Sequence, residues 1–146
     1  MAMQKLESDQ INSFIPDVKI PIRIGFAKSD GVSAVISLWY VCKYGKIYCA
    51  VQKTAKIVSY LQKNPVCGFE IAADKPPYKG IRSEGPIRIL NETGAYVLDL
   101  LLDKYLGEIE STLSKFLRDN SKTEMTIEIT PQKIFHYDYS ERMNDV

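Results

Sequence analysis

Apolar positions recur along this chain at two periods, and the switches between them mark its elements. Glu7 to Ile15 reads as a short amphipathic helix with Ser8 as N-cap, closed off by Pro16 and Pro21. From Ile22 the period falls to two: Ile22, Ile24 and Phe26 share one face, and Ser29-Asp30-Gly31 supplies turn chemistry for a hairpin. Val32 to Val41 is a second strand, rich in β-branched and aromatic residues, and Lys43-Tyr44-Gly45 turns it into a third, Lys46 to Val51. The period then lengthens. Ala55 to Lys63 places Ile57, Val58 and Leu61 on one helical stripe with lysines opposite, and Asn64-Pro65 stops it.

Val66 to Ala73 and Ile81 to Leu90 read as two further strands joined by the turn-rich stretch Asp74 to Gly80. Ala95 to Leu106 is apolar nearly all round, the pattern of a helix buried on several sides, with Gly107 at its end. Ile109, Leu113, Phe116 and Leu117 predict an ordinary amphipathic helix ending near Asn120, apolar on its inner face. Met125, Ile127, Ile129, Phe135, Tyr137 and Tyr139 all fall on odd positions, the signature of a long last strand broken at Pro131. Six strands that are mostly sequential neighbours point to a closed antiparallel barrel in an α+β, mainly β, setting, or else to an open sheet covered by helices. No repeat, low-complexity tract or linker divides the sequence, so residues 1–146 read as one domain.

Composition narrows the function classes. The 146 residues are 45% hydrophobic and 25% charged, as in an ordinary globular protein. Nineteen Lys and Arg against eighteen Asp and Glu leave a net charge of +1, so no global field recruits nucleic acid or an anionic membrane. Met1 to Phe14 alternates polar and apolar residues without a hydrophobic core region, which reads as neither signal peptide nor membrane anchor and predicts a cytoplasmic protein. Cys42, Cys49 and Cys67 are odd in number and lack CxxC spacing, so they read as small buried hydrophobes rather than a disulfide framework. The single histidine, His136, is far from all three in sequence, and no metal site is expected. No serine sits in a nucleophile elbow, and His136 reads as structural or solvent-facing.

The most informative local stretch is Gln52-Lys53-Thr54-Ala55-Lys56, where a strand hands over to a helix. Thr54 is placed to cap that helix, whose first-turn N–H groups then point outward. Lys53 and Lys56 have the wrong sign for a helix N-terminus unless an anion arrives, so the stretch suits either a phosphate cradle or a solvated lysine face. Neither GxGxxG nor GxxxxGK[ST] is present. Trp39 and Tyr40 are adjacent on a strand and point to opposite faces, so only one can line a given pocket. Arg82 and Arg88 share the parity of Glu84, as on a solvated strand face with cross-strand ion pairs.

Between about Arg23 and Ile89 the segments "RIGFAKSDGVSAVISLWYV", "GKIYCAVQKTAKIVSYLQKNP" and "PPYKGIRSEG" resemble, in order and spacing, the flavin-binding proteins related to pyridoxamine 5'-phosphate oxidase. The resemblance implies a six-stranded antiparallel split β-barrel with peripheral helices, acting as a homodimer with its cofactor at the subunit interface. It implies that Lys53, Thr54 and Lys56 hold the phosphate of flavin mononucleotide (FMN), with Ser37, Leu38, Trp39, Ala50 and Val51 along the ring. Lys79 and Arg82 would reach the cofactor from the other subunit, and Tyr78 with Trp39 would shape the side facing a small-molecule substrate. An oxidoreductase is then expected, catalytic residues unassigned, with an F-420-type deazaflavin reductase or a non-enzymatic flavin- or haem-binding protein as alternatives. Lys75 and Lys79 would serve the longer anionic tail of a deazaflavin. The sequence departs from the pattern at the end of the third strand, where the usual hydroxyl residue is Ala50 or Val51, in Ala55 where a basic residue is common, and in a spacing from Lys56 to Pro65 that is one residue longer. The C-terminal "HYDYSERMNDV" does not reproduce the arginine and histidine substrate motif of the true oxidases, so the resemblance carries no substrate.

Overall fold

The computed structural model describes residues 2–3, 10–11, 15, 19–107 and 111–143, so the helix expected over Glu7 to Ile15 falls largely outside the described residues. Nine strands and three α-helices are described: β1 (Ala2–Met3), β2 (Ile22–Ala27), β3 (Ser33–Leu38), β4 (Val41–Lys43), β5 (Lys46–Gln52), α1 (Lys56–Lys63), β6 (Val66–Ala72), β7 (Lys79–Leu90), α2 (Gly94–Leu106), α3 (Thr112–Asp119), β8 (Glu124–Ile129) and β9 (Gln132–Asp138). The sheet runs β3-β2-β6-β7-β8-β5-β4, with β9 beside β7 and β1 beside β9. Every pairing is antiparallel. The sheet curls into a split half-barrel of the α+β class, as the sequence predicts.

The strand count is nine rather than six because two predicted strands are each broken in two and β1 is added. Val32 to Val41 divides at Trp39-Tyr40, where the chain leaves its pairing with β2 and joins β5. The Tyr40 backbone is satisfied there by side chains instead of a ladder: its N–H donates to Tyr105 Oη (3.2 Å), and its carbonyl accepts from Lys104 Nζ (2.7 Å). The last strand divides at Thr130-Pro131, and the break resets its parity. Ile134 is 1% exposed and faces the core, whereas Phe135 is 57% exposed. The expectation that Phe135, Tyr137 and Tyr139 continue the face of Ile127 and Ile129 is thereby corrected.

Period two puts Ile22 and Ile24 of β2, Ile47 and Cys49 of β5, Ile71 of β6 and Ile127 of β8 into the barrel interior, where Ile57, Val58 and Leu61 of α1 join them. Each such side chain contributes about 1.5–3 kcal/mol of apolar burial. The opposite face of β5, Tyr48 and Ala50, is covered by Val97, Leu101 and Tyr105 of α2, a second small core. This is why α2 is apolar on several sides. In α3, by contrast, Leu113 and Phe116 stay exposed, Leu117 is half-buried and Ser114 is buried in a capping box with Ser111, so Leu113 and Phe116 do not form the inner face expected; Ile109 lies outside the described residues. Cys49 and Cys67 are buried and Cys42 is half-buried, all three unbridged. No helix among the described residues is long and apolar enough to cross a membrane.

Candidate functional site

Where α2 and α3 meet the outer face of the sheet, a groove of about 350 Å³ opens beside the β3–β4 crossover. Ser37, Leu38 and Trp39 form one side, Ala50 the floor, Leu98 and Leu101 of α2 with Leu113 and Leu117 of α3 the other side, and Glu124 one end. A mostly apolar cleft of this size with few polar groups is the usual form of a small-ligand site. Trp39 is held flat: its ring stacks on Tyr105 at 4.9 Å between centroids and 8° between planes. Tyr105 is fixed in turn, because its hydroxyl accepts from the Tyr40 N–H and donates to the Ile20 carbonyl (3.1 Å). Tyr40 points the other way and is buried, as the alternation of the two aromatics requires. Beneath it Lys104 lies 3.5 Å from the Tyr40 ring centre, and burial pushes its ammonium pKa down to about 8.

Tyr105→Phe keeps the stack and removes both hydroxyl bonds. Leaving a buried N–H and a buried C=O unpaired is expected to lower stability by about 2 kcal/mol, measured by urea denaturation. Trp39 fluorescence checks that the stack survives.

Glu124 opens β8 opposite Gln52, the last residue of β5. Gln52 Nε2 donates to Glu124 Oε1 (3.3 Å) and to the Asn120 carbonyl (3.0 Å), while Gln52 Oε1 accepts from the Thr123 hydroxyl. Burial raises the Glu124 pKa against the opposing pull of the Gln52 bond.

The sequence-predicted phosphate stretch follows directly. Lys53, Thr54 and Lys56 are all exposed just beyond Gln52, and the Lys53 N–H donates to the Thr123 carbonyl at 3.0 Å. Thr54 does not cap α1: the N-cap is Ala55 in an extended conformation with no side-chain bond, and Thr54 belongs to the turn before it. The first turn of α1 therefore has neither a side-chain cap nor an acidic residue.

The structure thus brings Ser37, Leu38, Trp39 and Ala50 into one groove; Lys53, Thr54 and Lys56 do not line it and follow in sequence the Gln52 that pairs with its Glu124. Val51 points into the barrel core, which leaves only its backbone toward this face. Tyr78 and Arg82 lie elsewhere, lining a second hollow of about 350 Å³ with Glu70, Tyr137 and Tyr139 on the outer face of β6, β7 and β9. There Tyr137 Oη donates to Glu70 Oε2 (2.9 Å), Arg82 Nε stands 3.8 Å from the same oxygen, and the Arg82 guanidinium lies 4.7 Å over the Tyr137 ring. Desolvation first, then the bond to Glu70, pushes the Tyr137 phenol up to about 12. Lys79 opens β7 opposite Asp138, and His136 is half-buried opposite Ile81. Arg88 makes the cross-strand pair expected of it, at 2.7 Å from Glu128, but that carboxylate is buried.

No family model matches the sequence, and no curated protein does. Solved structures do match. A conserved hypothetical protein from Mycobacterium tuberculosis superposes with a TM-score of 0.74 at 16% identity, over 96% of this chain and 92% of that one. An F420 reductase gives 0.69 at 17% identity, over 89% and 98%. A candidate pyridoxamine 5'-phosphate oxidase from Listeria innocua gives 0.63 at 14%, over 88% and 95%. The fold is the pyridoxamine 5'-phosphate oxidase-like split barrel. Identities this low carry architecture alone. Within this split barrel the groove is built by two halves of different legibility. The β3 and β5 half lies in the segments that resemble the family; Leu98, Leu101, Leu113, Leu117 and Glu124 were not foreseen. The contact between Glu124 and Gln52 spans 72 positions and leaves no local signal in the sequence.

Proposed function

We propose that the protein is an FMN-dependent oxidoreductase acting on a small-molecule substrate as a homodimer. The observation that carries this reading is the convergence of Ser37, Leu38, Trp39 and Ala50 on one groove, whose Glu124 pairs with Gln52, the residue before Lys53. A bound flavin itself accepts and passes on the hydride. The chain's part is positioning: the locked Trp39 ring offers a flat wall, and the four leucines of α2 and α3 with Leu38 exclude water. The exposed lysines and the uncapped N–H groups of α1 supply donors to a phosphate. Tyr78 and Arg82 fit the reading as groups delivered to the groove of a partner subunit, since within one protomer they belong to a different hollow. Light scattering is expected to return a dimer.

Titrating FMN into the purified protein is expected to give saturable fluorescence quenching and a rise in melting temperature. Lys53→Ala with Lys56→Ala is expected to weaken FMN binding at least about tenfold, the loss of roughly one charge-assisted contact, without lowering the melting temperature of the ligand-free protein. No quenching and no thermal shift in the wild type would remove the flavin reading. A second reading, an F-420-type deazaflavin reductase, draws support from the likeness to an F420 reductase over 98% of that chain. Lys75 and Lys79 would then be the added cations, and a parallel titration with the deazaflavin decides between the two.

A further inference from the structure

Glu124 holds the most unusual polar atom of the groove. The residue is 6% exposed, yet its Oε2 is shut off from solvent and has no hydrogen-bond partner among the described residues. Gln52 cannot turn to serve it, because both Nε2 hydrogens and Oε1 are already engaged. A buried carboxyl oxygen left unpaired carries a desolvation cost that a bound partner would relieve. The terminal torsion of a glutamate is soft, so this oxygen can swing to meet a ligand.

Its place along the groove says which part of a ligand it meets. In register Glu124 faces Gln52, two residues past the groove floor at Ala50 and one before Lys53. Along the register of β5 it comes after Ala50, on the wall proposed for a flavin ring, and just before Lys53, one of the lysines proposed for its phosphate. The part of such a ligand that spans this interval is a polyol chain. A hydroxyl suits a carboxyl in either protonation state, donating to the carboxylate or accepting from the acid. We infer that Glu124 hydrogen-bonds a hydroxyl of the ligand's polyol chain, and so selects a flavin carrying such a chain over the bare ring.

The inference rests on the flavin reading above, and the test separates the two. Riboflavin and lumiflavin share the ring and lack phosphate, and only riboflavin has the polyol. Glu124→Met is expected to weaken riboflavin and FMN at least tenfold, to change lumiflavin less than twofold, and to leave the ligand-free melting temperature at or above that of the wild type. Where Glu124→Met proves unstable, Glu124→Gln carries the same comparison with a smaller, several-fold loss, because its amide can still donate to a hydroxyl. Equal losses for riboflavin and lumiflavin, or no loss for riboflavin, overturn the role of Glu124 and leave the flavin reading standing. A wild type that binds none of these compounds overturns both.

Discussion

Gly94→Ala is expected to lower stability by at least about 3 kcal/mol, near the upper end of overpacking costs, and the melting temperature by roughly 10 °C. Intrinsic propensity predicts the opposite sign, since alanine is the better helix former by about 1 kcal/mol. Packing wins because Gly94 opens α2 directly against the start of β8. A Cβ there would collide with the Glu124 carbonyl group and lie 2.9 Å from the Met125 nitrogen. Those are backbone atoms of a strand held in register there by β5, with Gln52 opposite Glu124 and Val51 opposite Met125, so the helix must yield. Lifting α2 moves Leu98 and Leu101, and with them one side of the groove, so flavin affinity should fall together with stability. Gly68→Ala is the control: its Cβ meets nothing nearer than the Ser83 oxygen at 3.8 Å, and it should melt close to the wild type. A Gly94→Ala protein as stable as the wild type would mean that α2 is not seated on β8 in this way.

What the sequence revealed and what it hid follow the same division between local and distant causes. Asp30-Gly31 and Tyr44-Gly45 were legible as hairpin turns because the reason is local: Gly31, Tyr44 and Gly45 all have positive φ, and Asp30 bonds the Val32 N–H at 2.9 Å. The barrel strands were legible because one buried face imposes period two. The crossover at Trp39-Tyr40 was not, since the groups that hold it, Lys104 and Tyr105, lie 64 and 65 positions away. Thr54 has the right chemistry for a cap and is one residue early, because the turn after β5 makes Ala55 the last extended residue. In α3 the period correctly marks a helix but cannot say what covers it. Leu113 and Leu117 border the groove rather than the core, so the same periodicity serves a groove wall as readily as a packed interior.

Gly85→Ala should be about as destabilising as Gly94→Ala, for a reason at the opposite end of β8. β7 changes partners along its length, pairing with β9 from Lys79 to Glu84 and with β8 from Ile87 to Leu90. The β8–β9 corner folds over the exchange point, where the Thr130 N–H donates to the Pro86 carbonyl at 3.0 Å. Gly85 lies under that corner. A Cβ would strike the Thr130 carbonyl oxygen and come within 2.9 Å of its carbon, with Pro131 Cα at 3.4 Å. Pro131 limits how the corner can move aside, because its ring fixes φ. The cost is again expected to be at least about 3 kcal/mol, read by thermal and urea denaturation. The two variants should part in binding. Thr130 is separated from Glu124 by the length of β8, roughly 20 Å at strand rise, so folded Gly85→Ala protein should hold flavin within twofold of the wild type. Loss of affinity in both would mean that the groove depends on the whole barrel rather than on the seating of α2; loss in Gly94→Ala alone would tie it to the α2–β8 contact that also buries Glu124.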